Sequence, residues 1–149
     1  MEIFKADISY LVFNFLKENL HHSISLLKIN EILQNESGVV DFFETEAEIQ
    51  ALYKELLSIE TNIVAESNRI EYGDFQTNTI LANNITQKLF RNVVFPNLVI
   101  EPTCGKGHFI IASLNNLETI TTIIGIEIYK PYVWQTKFNI LDFFSHKYK

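Results

Sequence analysis

The chain has 149 residues, 47% of them hydrophobic and 20% charged, with a formal net charge of −6, a composition that supports a sizeable core and excludes bulk disorder. Its one cysteine, Cys104, excludes an internal disulfide, and the acids in the opening MEIFKADISYLVF are unlike the basic start of a secretory signal, so a cytoplasmic setting is expected. No stretch reaches the roughly 20 apolar residues that span a bilayer, which makes a soluble protein with no membrane partner the expectation.

Apolar positions Ile3, Phe4, Ile8, Leu11, Val12, Phe15 and Leu16 recur at three- and four-residue steps and predict an amphipathic helix from Ile3 to Leu20. Ser23 is placed to cap a second helix running to about Leu33. From Thr45 the pattern repeats through Ile49, Leu52, Tyr53, Leu56, Ile59 or Glu60, and Ile63, and Glu46 and Glu48 suit the positive end of that helix. Residues 1–68 hold 4 Lys/Arg against 12 Asp/Glu, while residues 69–149 hold 8 against 6. The first part is therefore expected to be an acidic helical region, either ordinary packed helices or an interaction module. Acidic surface repels phosphate backbones, and the weak positive balance of the second part is no nucleic-acid footprint, so any strong DNA contacts are expected elsewhere.

Charge thins across ESNRIEYGDFQTNTILANNITQKLF, where Gly73 and Asp74 mark a turn and Thr77 or Asn78 can cap a helix. Ile80, Leu81, Ile85, Leu89 and Phe90 line one face of that helix. Pro96 and Asn97 then break the chain, LVIEP reads as a buried strand, and CGKGHFIIASLNNL as a loop entering a helix. TTIIGIE reads as a second buried strand, followed by a helix with Pro131 in its first turn, where proline is tolerated. Two apolar strands joined by a helix form a βαβ unit with a parallel pair. The expected fold class is α/β: the start of a doubly wound, Rossmann-like parallel sheet over residues 69–149, preceded by the helical region.

In such sheets ligands bind beyond the carboxyl ends of the strands. Glu101 to Gly107 occupies that place, with two glycines and a helix N-terminus able to face an anionic or polar group. The dinucleotide fingerprint GxGxxG is not met, because its third glycine position is Ile110, and the P-loop requirement of Lys then Ser or Thr after the second glycine is not met either. Glu127 stands at the end of the second strand, twenty residues past Gly107. An acid there can take both hydroxyls of a ribose, or it can merely cap the next helix. Cys104 with His108 lacks a third, orienting group for nucleophilic work, adjacent His21 and His22 diverge on a helix, and Tyr132, Trp134, Phe138 and Phe143 are expected to be core rather than a base-stacking platform.

VIEPTCGKGHF resembles the first motif of S-adenosylmethionine-dependent methyltransferases, in particular the DNA adenine-N6 enzymes of restriction-modification systems. GIEI resembles their second motif, and GDFQTN resembles the Gly-x-Phe/Tyr-x-Thr-Pro segment that precedes the first. The resemblance covers about residues 70–149 and implies S-adenosyl-L-methionine as cofactor. It implies that Thr77 contacts the methionine end, that Glu101, followed by Pro102, approaches the amino group, and that Gly105 and Gly107 frame the ligand. Glu127 would bind the ribose and Ile128 pack beside the adenine. Asn78 stands where the family has proline. The family's catalytic Asn/Asp/Ser-Pro-Pro-aromatic motif is missing, since the prolines are Pro96, Pro102 and Pro131. The resemblance thus implies a cofactor-side portion, truncated before its catalytic motif and inactive alone, with DNA met through other regions and with a complementing fragment or self-association as further partners. Methylation of RNA or protein, and a module with a vestigial cofactor loop, remain the alternatives.

Overall fold

The computed structural model describes residues 7–59, 76–91 and 95–147, the side chains of Ile59 and Lys147 excepted. Six helices and two strands lie among the described residues, in the order α1 (Tyr10–Asn19), α2 (Leu26–Ser37), α3 (Glu46–Ile59), α4 (Thr79–Arg91), β1 (Leu98–Glu101), α5 (His108–Asn116), β2 (Thr122–Gly125) and α6 (Lys130–Lys147). They fall into two compact units. One takes α1 to α3 and the residues of α6 from Leu141 onward, and the other takes α4 to β2 and α6 as far as Ile140.

In the helical unit the caps set the helix limits. Ser9 accepts the Val12 N–H on its side chain at 3.2 Å, so α1 starts at Tyr10. The expected start at Ile3 lies outside the described residues, and Ile8 precedes the cap. The Ser9 hydroxyl also hydrogen-bonds to Asp142. For α2 the cap is Ser25 rather than Ser23, and the helix runs past Leu33 to a left-handed Gly38 at φ 71°, the first residue that favours a stop. At α3 the Thr45 hydroxyl accepts the Glu48 N–H at 3.3 Å while the Glu48 carboxylate accepts the Glu44 N–H at 2.8 Å, a reciprocal cap. Glu60 and Ile63, expected to prolong this helix, lie outside the described residues.

The core of this unit gathers Val12, Leu16, Ile29, Leu33, Ile49 and Leu52 around Phe42 and Phe43, whose rings stand 5.6 Å apart. Asn30 fastens Phe43 at both backbone atoms, accepting its N–H and donating to its carbonyl, each at 2.9 Å.

In the α/β unit, β1 and β2 pair in parallel with Leu98 opposite Thr122 and Glu101 opposite Gly125. The ladder runs on beyond the strands, since the Ile126 N–H donates to the Glu101 carbonyl at 2.9 Å and the Cys104 N–H to the Ile126 carbonyl at 3.0 Å. Among the described residues the sheet has two strands. Both were expected to be buried, yet Leu98, Ile100 and Ile124 are exposed. With α5 packed against β1, alternate residues point away from the helix layer.

α4 is capped by Asn78, whose side-chain oxygen accepts the Ile80 N–H at 2.8 Å. Its inward face is not its apolar one. Ile80, Leu81, Ile85 and Leu89 are exposed, and Ala82 and Thr86 are buried. Small residues let α4 approach α5 closely, and Asn116 of α5 donates to Asn83 and Thr86, each at 3.0 Å. Polar contacts thus hold the pair where large side chains would hold it apart.

Removing the Asn30 amide leaves two backbone groups of a buried residue without their partner. Asn30→Ala is expected to cost about 1–3 kcal/mol, read as a lower urea midpoint by far-ultraviolet circular dichroism, and Asn30→Asp, which keeps the acceptor, is expected to cost less.

Candidate functional site

The chain passes from β1 into α5 through Pro102–Gly107, and two residues of that passage have positive φ: Gly105 at 53° and Gly107 at 79°. Both favour glycine for backbone sign, and Gly107 for space as well. A Cβ on Gly105 would collide with the Gln76 side chain, and one on Gly107 would lie 2.8 Å from the Thr136 methyl.

The amides of Gly105, Lys106 and Gly107 are engaged within the protein. The Gly105 N–H donates to Glu127 Oε2 at 3.0 Å, the Lys106 N–H to Gln76 Oε1 at 3.0 Å, and the Gly107 N–H to the Cys104 carbonyl at 2.8 Å. The carbonyls are taken from α6: Thr136 Oγ1 donates to Gly105 at 2.8 Å and Asn139 Nδ2 to Lys106 at 2.8 Å. From Cys104 to Gly107 the loop is held through its own backbone groups.

Three separate stretches meet at this loop. Glu127 arrives from the end of β2, and its other oxygen accepts the Tyr129 N–H at 2.7 Å just ahead of α6. Capping and closure onto the loop are therefore done by one carboxylate, whose oxygens each keep a further lone pair. Thr77 arrives from ahead of α4, held where its carbonyl faces His108 Nδ1 at 2.5 Å. A carbonyl only accepts, so Nδ1 carries the proton. Glu101, half-buried at the end of β1, has its carboxyl pushed up by burial. Pro102 is exposed, and Ile128 is 97% exposed beside Glu127.

Gln76, Thr136 and Asn139 were not singled out from the sequence. The signal they leave is slight: polar residues three apart in WQTKFN, on a helix whose neighbouring Trp134 and Phe138 are buried. Tyr132 is half-buried, with Lys106 Nζ 5.5 Å from its ring centre. Burial pushes the Cys104 thiol up, a hydrogen bond with Thr136 acts the other way, and the charges of Glu127 and Glu101 push it up further. Among the described residues no group of three His, Cys, Asp or Glu could hold a metal ion, and no helix is long and apolar enough to cross a membrane.

A glycine loop between a strand and a helix, closed by an acid from the end of the next parallel strand, is the arrangement with which α/β proteins hold nucleoside-bearing ligands. Over 72 residues, 48% of its length, the chain is 42% identical to the Type II methyltransferase M.NspV of Nostoc sp.. The match spans 15% of that relative, and the chain carries a methyltransferase-related stretch. No protein-family profile and no solved structure matches it.

A thiol raised by burial and by two acids is a poor nucleophile. Alkylation of Cys104 by iodoacetamide at pH 7.5 is expected to be slower in the folded chain than in the same chain in urea, with its rise displaced to higher pH. Equal rates would contradict the buried, acid-flanked setting.

Proposed function

We propose that this chain supplies the S-adenosyl-L-methionine side of a DNA adenine-N6 methyltransferase of the restriction-modification type, acting in the cytoplasm. The observation that carries the reading is the closure of Glu127 onto Gly105, which joins the end of β2 to the glycine loop that follows β1. The residues fit the cofactor. The two glycines leave the loop backbone without side chains of its own, and Glu127 retains lone pairs for a pair of vicinal hydroxyls.

In this reading Glu127 binds the ribose and Ile128, standing free beside it, covers the adenine. Gly105, Gly107 and Pro102 shape the wall, Thr77 meets the methionine end, and Glu101 accepts its ammonium group. Bound there, S-adenosylmethionine supplies an electrophilic methyl group on its sulfonium. These residues bind and orient, and none of them activates an acceptor. Orienting the exocyclic amine of adenine is the task of the Asn/Asp/Ser-Pro-Pro-aromatic motif, which is not among the 149 residues. The name of the relative supports methyl transfer, and the fit of GDFQTN, VIEPTCGKGHF and GIEI to one site supports the adenine-specific class. Residues 69–149 form the cofactor-binding part in this reading, and residues 1–68 a separate helical region.

Calorimetric titration of the full chain with S-adenosylmethionine and with S-adenosylhomocysteine is expected to show saturable binding. Glu127→Ala is expected to weaken it about 10- to 100-fold, the ordinary effect of removing a charged hydrogen-bond partner, and Glu101→Gln to weaken binding of the ligand's amino-acid end. Saturable binding of a nicotinamide dinucleotide, with none of either methionine derivative, would overturn the reading.

A further inference from the structure

The loop is held one peptide plane at a time. The plane between Cys104 and Gly105 has its carbonyl bonded to Gly107 and its N–H to Glu127. The plane between Gly105 and Lys106 has its carbonyl bonded to Thr136 and its N–H to Gln76. The plane between Lys106 and Gly107 has its carbonyl bonded to Asn139 and its N–H to Cys104. Glycine-flanked peptides flip easily because glycine populates both signs of φ. A grip on both edges of each plane opposes the flip.

We propose that Thr136 and Asn139 of α6 are positioning residues for this loop, fixing its peptide planes so that the wall facing the ligand is formed before binding. The proposal rests on the cofactor reading for its ligand and on the ligand-free geometry for its mechanism. Both side chains are set for the task. Thr136 is 6% exposed, and its methyl stands against Gly107 while its hydroxyl donates to Gly105. Asn139 receives the buried Gln135 amide on its oxygen at 3.0 Å, which turns its nitrogen toward Lys106. Gln76 completes the grip from the other side and ties it to the segment carrying Thr77.

The test uses the full chain and needs no catalysis. Thr136→Val keeps the shape and removes the donor, Thr136→Ser keeps the donor, and Asn139→Asp keeps the acceptor for Gln135 while removing the donor to Lys106. Backbone hydrogen exchange followed by nuclear magnetic resonance is expected to quicken about tenfold at Gly105, Lys106 and Gly107 in Thr136→Val and in Asn139→Asp. The amides of α4 and α5 are expected to keep their rates, and Thr136→Ser to match the parent. Affinity for S-adenosylhomocysteine is expected to fall about tenfold in Thr136→Val and to return in Thr136→Ser. Loop exchange unchanged in Thr136→Val, or quickened equally throughout the unit, overturns the proposal. A parent chain that binds neither methionine derivative defeats the cofactor reading, and the exchange rates still decide the role of α6.

Discussion

The α/β unit is organised by a change of backbone sign between β1 and α5. Leaving a strand and entering a helix through residues with positive φ at Gly105 and Gly107 costs little strain in glycine but much conformational freedom, because glycine surrenders the most on becoming ordered. That loss must be offset by contacts, and a loop built on glycines has few side chains with which to make them. The contacts therefore come from outside: from Gln76, from Glu127 and from one face of α6. The parallel register of β1 and β2 is what brings Glu127 level with the loop, and the start of α6 right after Glu127 is what brings Thr136 and Asn139 over it.

This explains which parts of the site were legible from the sequence. The two glycines, the acid at the end of each strand and a cap at Thr77 or Asn78 announce themselves through local chemistry, since φ sign, strand ends and capping depend on a few neighbouring residues. Thr136 and Asn139 do not, because their partners lie 31 and 33 residues away and nothing in WQTKFN distinguishes a polar residue over a loop from one facing water. Ser23 was expected to cap α2, and the cap is Ser25, whose oxygen accepts the Lys28 N–H.

Which face of α4 turns inward was open for a different physical reason. Periodicity tells which residues share a side of a helix and leaves open which side turns inward. Ile80, Leu81, Ile85 and Leu89 share the predicted apolar face and are exposed. The helix turns Ala82 and Thr86 toward α5, where close approach and the Asn116 hydrogen bonds compensate for the smaller apolar area. The strands differ from expectation: a parallel pair in an α/β protein has helices on both faces, whereas in this structure Leu98, Ile100 and Ile124 are exposed.

Glu127 meets two structural demands with one side chain. Capping the entry to α6 requires an acceptor at the end of β2, and closing the glycine loop requires an acceptor one peptide away from Gly105. A carboxylate has two oxygens and can do both at once. Those two bonds fix the orientation of the carboxylate before any ligand arrives, and they leave lone pairs directed elsewhere. A group whose position is already determined by the fold loses little further freedom on binding. In the proposed cofactor site, the bonds that make Glu127 a helix cap would also hold it ready for a ribose.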